Sequence, residues 1–92
     1  MAQVHRYIPN RLRKYRKIMG YSQKDVAKVF GYKCTSRISQ WEKGLSMPSA
    51  MNLLRLSLLY GVLMDQLYFD LREELKEEVF PEKERLGKEK PP

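Results

Sequence analysis

The sequence of 92 residues predicts one all-α domain, a compact five-helix bundle with a C-terminal helical extension and a disordered tail. Apolar residues recur at helical spacing, no segment alternates as a strand would, and glycines follow the apolar segments where helices end. We divide the chain into an N-terminal arm (1–9), the bundle (10–69), the extension (70–80) and a flexible tail (81–92).

The first two helices are predicted from apolar spacing and capping residues. Leu12, Tyr15 and Met19 fall on one helical face, and a glycine follows them. Ser22 and Asp25 have the spacing of a capping box, in which each side chain bonds the backbone amide of the other residue. A second short helix therefore begins at this box, directly after the first.

The later helices differ in how many apolar residues they carry. A third helix is predicted at about residues 35–43, with Ile38 and Trp41 facing inward. The fourth helix has too many leucines for one face, and we expect it to be the buried centre of the bundle. The extension continues as a helix that Pro81 ends.

Charge is distributed unevenly along the chain. Residues 1–61 contain twelve Lys or Arg and only two acidic residues, a net charge of +10. Residues 62–92 contain six basic and nine acidic residues, a net charge of −3. A basic body with an acidic C-terminal segment indicates a polyanionic partner for the body.

Several function classes find no support in the sequence. One cysteine and one histidine offer neither an internal disulfide nor a metal cluster, and no catalytic constellation is present. We therefore expect no enzyme activity, no cofactor and no metal. No apolar run reaches the length of a membrane span, so we expect a cytoplasmic protein without a membrane partner. Cys34 is interpreted as a small packed thiol near the inward face of the third helix.

The third helix carries the side chains that suit DNA bases. With Ile38 and Trp41 inward, Ser36 and Gln40 lie on the opposite face, and Thr35 and Arg37 lie on its flanks. Gln can bridge adenine and Arg can bridge guanine in the major groove. The alternative is that this face is simply solvated, an interpretation that the positive net charge of residues 1–61 disfavours. The predicted base-reading residues are Thr35, Ser36, Arg37 and Gln40.

Phosphate contacts are expected beside this helix. The start of the second helix offers free amides at the positive end of the helix dipole, with Gln23 and Lys24 projecting there. Lys43 after the third helix and Arg13 on the first add positive charge. Such contacts position a protein on DNA without reading sequence.

One ion pair is predicted to be structural. Arg16 lies on the edge of the first helix's apolar stripe, where a charge needs a partner. Because Asp25 is engaged in its capping box, Glu42 is the one free acid among residues 1–61. We expect an Arg16–Glu42 pair that locks the first helix against the end of the third.

These residues resemble the lambda-repressor-like helix-turn-helix family of bacterial and phage regulators, of Cro and C-repressor type. The likeness covers about residues 10–68. It includes Ser22-Gln23, Ala27, Gly31, Ile38-Ser39, Trp41-Glu42, Gly44 and Pro48-Ser49. The resemblance implies a five-helix domain whose third helix enters the major groove of double-stranded DNA, within a homodimer. One departure is the spacing from Gly31 to Ile38, which is one residue longer than the usual pattern.

Three hypotheses about function follow. The first is a sequence-specific transcriptional regulator, a repressor, that binds DNA as a homodimer. The second is an antitoxin that binds a small protein partner through residues 70–80 and regulates its own operon. The third is a protein-interaction module whose basic charge is incidental.

Overall fold

A computed structural model describes residues 7–89, so most of the predicted N-terminal arm lies outside the described residues. This part of the chain is helical and contains no strand, which confirms the all-α prediction. The six helices are α1 (Leu12–Ile18), α2 (Gln23–Val29), α3 (Ser36–Lys43), α4 (Ala50–Tyr60), α5 (Met64–Leu67) and α6 (Phe69–Glu89). None of the helices within residues 7–89 combines the length and the hydropathy that a membrane crossing requires.

Polar side chains determine where the helices begin. The Ser22 hydroxyl accepts a hydrogen bond from the Asp25 amide at 3.0 Å, and the Asp25 carboxylate accepts one from the Ser22 amide at 2.8 Å. This reciprocal pair is the predicted capping box, and it satisfies two amides that the helix cannot. Ser49 caps α4 in the same way, by accepting from the Asn52 amide at 3.2 Å.

The core forms where the apolar faces of α1 to α5 meet. Nine side chains are buried in one cluster: Leu12, Val26, Ala27, Ile38, Trp41, Leu56, Tyr60, Leu67 and Tyr68. The predicted inward positions Ile38 and Trp41 are therefore confirmed. Met19, which the spacing places on the same helical face as Leu12, is 42 % exposed, because α1 ends at Ile18 and Met19 is its C-cap.

The prediction that α4 is the buried centre of the bundle is wrong. Its Leu56 and Tyr60 are buried, but Met51, Leu54 and Leu58 are exposed, and Leu58 is 83 % exposed. The physical reason is position: α4 packs one face against the other helices and has no element of residues 7–89 on its other face. The surplus of leucines that suggested burial instead forms a second, uncovered apolar face.

The C-terminal helix also differs from the prediction, since α6 continues through Pro81 to Glu89 rather than ending at residue 80. The predicted flexible tail is therefore helical as far as residue 89. Proline fixes a φ value that a helix accepts, and the one backbone bond it removes lies on an exposed segment. The residues after Pro81 favour the helix, because Glu and Lys are good helix formers and Arg85 pairs with Glu82.

The start of α6 is fixed to the body by one arginine. Arg11 donates from its Nε and Nη2 atoms to the two Asp70 carboxylate oxygens, both at 3.1 Å. Its guanidinium also lies 4.7 Å from the centre of the Phe69 ring. The hydrogen bonds from Arg11 lower the pKa of Asp70. Leu71, the next residue, packs against the core cluster.

Candidate nucleic-acid interface

The predicted base-reading residues lie at the solvent side of α3. Ser36, Arg37 and Gln40 are exposed, and Thr35 is half-buried. The helix begins at Ser36, one residue later than predicted, and Thr35 is its N-cap without a capping bond from its side chain. Because Ile38 and Trp41 are held in the core, this polar face is turned outward along the whole helix.

The Arg16–Glu42 ion pair predicted from the sequence is present and buried. Arg16 Nε lies 2.6 Å from Glu42 Oε2, and Arg16 Nη2 lies 3.1 Å from Glu42 Oε1. The two side chains are only 9 % and 5 % exposed. Hydrogen bonding to Glu42 raises the pKa of Arg16. A two-pronged contact of this kind fixes both distance and angle between α1 and the end of α3.

Two further groups complete this network. The third donor of Arg16, Nη1, bonds the Tyr21 carbonyl oxygen at 2.9 Å. Gln23 Nε2 donates to Glu42 Oε1 at 3.0 Å, which ties the first turn of α2 to α3. The predicted phosphate ligand Gln23 thus has its side-chain amide engaged with Glu42, while α2 begins at Gln23 with its first amides outside the helical bonding pattern.

Asn10 clamps the C-terminal end of α3 to the segment before α1. Its Nδ2 lies 3.0 Å from the Ile8 carbonyl oxygen, 3.2 Å from that of Trp41 and 3.3 Å from that of Glu42. Its Oδ1 accepts from the Leu12 amide at 3.0 Å and so satisfies the first amide of α1. Sequence reasoning missed this residue. An Asn before a helix signals a cap, but nothing local in the sequence points to carbonyls 31 and 32 residues away.

The longer turn between α2 and α3 is packed rather than loose. The Tyr32 ring lies 5.6 Å from the Phe30 ring and 6.2 Å from the Trp41 ring, measured between centroids. Its hydroxyl oxygen accepts from Arg37 Nη1 and Asn52 Nδ2, each at 3.4 Å. The Arg37 guanidinium also lies 4.8 Å from the ring centre. Arg37 is therefore held against the turn, through a residue that sequence reasoning did not single out.

Cys34 lies in the same turn and is exposed, so the prediction of a packed thiol is wrong. The extra residue in the turn moves Cys34 out of the α3 helix and away from its inward face. The Cys34 thiol donates to the Ser36 hydroxyl oxygen at 3.4 Å, and hydrogen bonding with Ser36 lowers the pKa of the thiol.

Two clefts flank α3 and bring several predicted residues together. The first has a volume of about 450 Å³ and is lined by Arg13, Arg16, Lys17, Gln23, Ser39, Glu42 and Lys43. The second has a volume of about 440 Å³ and is lined by Gly31, Tyr32, Lys33, Cys34, Ser36, Arg37 and Gln40. Three of the four predicted phosphate ligands line the first cleft, and three of the four predicted base readers line the second. Lys24 and Thr35 line neither.

The charges around α3 suit an anionic ligand. Arg13, Lys17 and Lys43 are exposed beside the first cleft, and the one carboxylate there, Glu42, is neutralised by Arg16. Exposed cations on both sides of a protruding polar helix can contact two phosphate backbones while the helix lies between them.

Comparison with known proteins agrees with this geometry. The sequence of residues 12–67 matches a family model described as helix-turn-helix. The match covers more than half of the chain and spans α1 to α5. No curated protein and no solved structure matches the chain significantly. The chain belongs to the Cro and C1-type helix-turn-helix family of DNA-binding transcription regulators.

Proposed function

We propose that this protein is a transcriptional repressor that binds a palindromic operator as a homodimer. In this proposal α3 lies in the major groove, where Ser36, Arg37 and Gln40 contact base edges. Thr35, with a hydroxyl that caps nothing, joins them at the N-terminal end of the helix. The observation that carries the proposal is the exposed polar face of α3 between two clefts bordered by cations.

The phosphate contacts are proposed from exposure and position. Arg13 and Lys43 border the first cleft and are free of ion pairs within residues 7–89. Lys24 is exposed in the first turn of α2, where the helix dipole also favours an anion. The side-chain amide of Gln23 donates a hydrogen bond to Glu42, so we propose that the backbone amide of Gln23, rather than its side chain, contacts the phosphate.

A homodimer is proposed because one copy presents one reading helix. Two copies related by a two-fold axis would place two α3 helices in successive major grooves, roughly 34 Å apart. Binding as a dimer would also explain how so few base-reading side chains recognise one site in a genome, because each contact is used twice.

The test is a titration of labelled DNA at fixed salt concentration. A palindrome selected from a random pool should bind about a thousandfold more tightly than unselected DNA of the same length. The affinity for both should fall as salt increases, because phosphate contacts release counterions. Equal affinity for the selected and unselected DNA would contradict sequence-specific binding, and a salt-independent affinity would contradict the phosphate contacts.

A second candidate function is an antitoxin, which would hold a small protein through residues 70–80. The observation in its favour is that Leu75, Val79 and Phe80 of α6 are between 43 % and 53 % exposed. Co-purification of a small protein encoded beside this chain would support it. Retention of that protein after removal of residues 70–92 would contradict it.

A further inference from the structure

Helix α6 carries an apolar stripe that the bundle covers only at its beginning. At about 100° per residue, Leu71, Leu75, Val79 and Leu86 fall within roughly 80° of the helix circumference. Leu71 packs on the core, but Leu75 is 43 % exposed, and Val79 and Leu86 are each 53 % exposed. Beyond Leu75, no other element of residues 7–89 lies against the stripe, so its outer half has no partner within one copy.

The two edges of this stripe differ in charge. The same projection places Arg72, Lys76 and Lys83 along one edge, the basic edge. Glu74 and Glu78 lie along the other, the acidic edge, where they are followed by Arg85, which pairs with Glu82. Arg72 pairs with Asp65 and Lys76 pairs with Glu73, whereas Glu74 and Glu78 have no ion pair within the described part of the chain. The acidic edge thus lacks the cations that the basic edge could supply from a neighbouring helix.

The stripe also has a hollow of a suitable shape for a side chain. A depression of about 170 Å³ lies on α6 alone, between Arg72, Leu75, Lys76, Val79 and Phe80. Paired helices insert an apolar side chain of one helix between four residues of the other. A hollow formed by residues of a single helix can receive such a side chain from the α6 helix of another copy.

We propose that α6 pairs in parallel with α6 of a second copy of this chain, along Leu75, Val79 and Leu86. Parallel pairing sets the acidic edge of each helix against the basic edge of the other. In that register Glu78 faces Lys83 of the second copy, and the two-fold axis repeats the contact. Antiparallel pairing would instead bring the basic edges of the two copies together, which opposes association.

This inference rests on the proposed homodimer and names the surface that forms it. The seam is short, and Glu82 falls within the stripe at the position between Val79 and Leu86. A short seam interrupted by a charge gives a weak dimer that depends on protein concentration. Replacing the charge with a leucine should therefore strengthen it, an outcome that a solvated helix would not show.

The first measurement is sedimentation of the full chain over a range of concentrations. Val79→Asp should raise the dimer dissociation constant about tenfold or more, and Glu82→Leu should lower it by a similar factor. Glu77→Leu, on the far side of α6 from the stripe, is the matched control for an added apolar side chain and should leave the constant unchanged. A monomer at all concentrations for the wild-type chain and for Glu82→Leu would overturn the proposal.

Cysteine cross-linking tests the direction of pairing. In a Cys34→Ser background, Val79→Cys and Leu86→Cys should each form a disulfide-linked dimer, because parallel helices bring identical positions together. Glu77→Cys is the control and should not. Cross-linking at only one of the two stripe positions would indicate antiparallel helices, and cross-linking at neither would exclude α6 pairing; either result overturns the proposal.

Measurements of DNA binding distinguish a failure of the α6 pairing from a failure of the proposed repressor function. Val79 is exposed and outside the core, so Val79→Asp should retain preference for a single half-site while losing tight binding to the full palindrome. If the wild-type chain prefers the selected palindrome but Val79→Asp and Glu82→Leu bind it as the wild type does, the α6 pairing is wrong and the repressor proposal stands. If no variant prefers any sequence, the repressor proposal is the one that fails.

Discussion

At the scale of single residues, the buried Arg16–Glu42 pair fixes the orientation of α3 relative to α1. Removing one partner leaves a charge without compensation in a site that is almost inaccessible to water. Glu42→Ala should therefore lower the free energy of unfolding by about 3 kcal/mol, measured by urea denaturation. Glu77→Ala, which removes an exposed carboxylate of α6, should change it by less than about 0.5 kcal/mol.

The double replacement Arg16→Met with Glu42→Leu distinguishes a lost charge pair from lost packing. An apolar pair should restore most of the stability that Glu42→Ala removes, since no buried charge remains. If the double variant is no more stable than Glu42→Ala, the unpaired charge is not the cause of the loss.

A second residue-scale prediction concerns acid stability. Hydrogen bonds from Ser22 lower the pKa of Asp25 in the folded protein. A lowered pKa gives stability that is present above the unfolded pKa of about 4 and is lost as the pH falls through the folded value. Asp25→Asn keeps an acceptor oxygen but cannot titrate. The free energy of unfolding, measured between about pH 5 and pH 2, should fall less steeply with pH in Asp25→Asn than in the wild type. The same slope in both proteins would contradict this account.

At the scale of elements, the end of α3 depends on a glycine that touches the segment before α1. Gly44 has φ +78°, and a Cβ built there would lie 2.4 Å from the Ile8 carbonyl oxygen. Gly20 has a similar φ of +79° with nothing within 4 Å of its Cβ position. Gly20→Ala should cost about 1 kcal/mol of backbone strain, and Gly44→Ala about 1–3 kcal/mol more. Equal losses in thermal unfolding would show that the Ile8 contact is unimportant.

A further element-scale prediction concerns the course of α6. Proline inside a helix costs about 3 kcal/mol relative to alanine, so the segment after Pro81 is the weakest part of this helix. Pro81→Ala should increase the helical signal in far-ultraviolet circular dichroism, whereas Glu84→Ala, at an exposed position of the same helix, should change it little. An unchanged signal in Pro81→Ala would mean that proline does not limit the helix.

Prediction from sequence succeeded where the pattern that determines a feature is local. It failed where contact with an element distant in sequence, or the lack of such contact, determines the feature. The capping box, the inward Ile38 and Trp41, and the Arg16–Glu42 pair follow from spacing and from the scarcity of acids, and the structure contains them. The burial of α4 could not be predicted, because a doubly apolar helix looks the same whether its second face meets a core or remains uncovered. The roles of Asn10 and Tyr32 depend on contacts with elements distant in sequence.

At the scale of the whole molecule, charge divides the protein into two parts with different tasks. Residues 1–61, which include α3, carry a net charge of +10, while the net charge of −3 in residues 62–92 belongs largely to α6. An acidic α6 is repelled by DNA phosphates, which suits a helix that contacts protein rather than DNA. The division supports a molecule that binds DNA with its body and a second copy with its C-terminal helix.

The most direct measurement compares how two substitutions on α3 change binding to selected and unselected DNA at one salt concentration. Gln40→Ala should weaken binding to the selected site alone, by about 1–3 kcal/mol per contact, because it removes a base reader. Lys43→Ala should weaken binding to selected and unselected DNA equally, because it removes a phosphate contact. It should also reduce, by about one, the slope of the logarithm of the binding constant against the logarithm of the salt concentration. A Gln40→Ala variant with an unchanged preference for the selected site would contradict the central claim that the exposed face of α3 reads DNA.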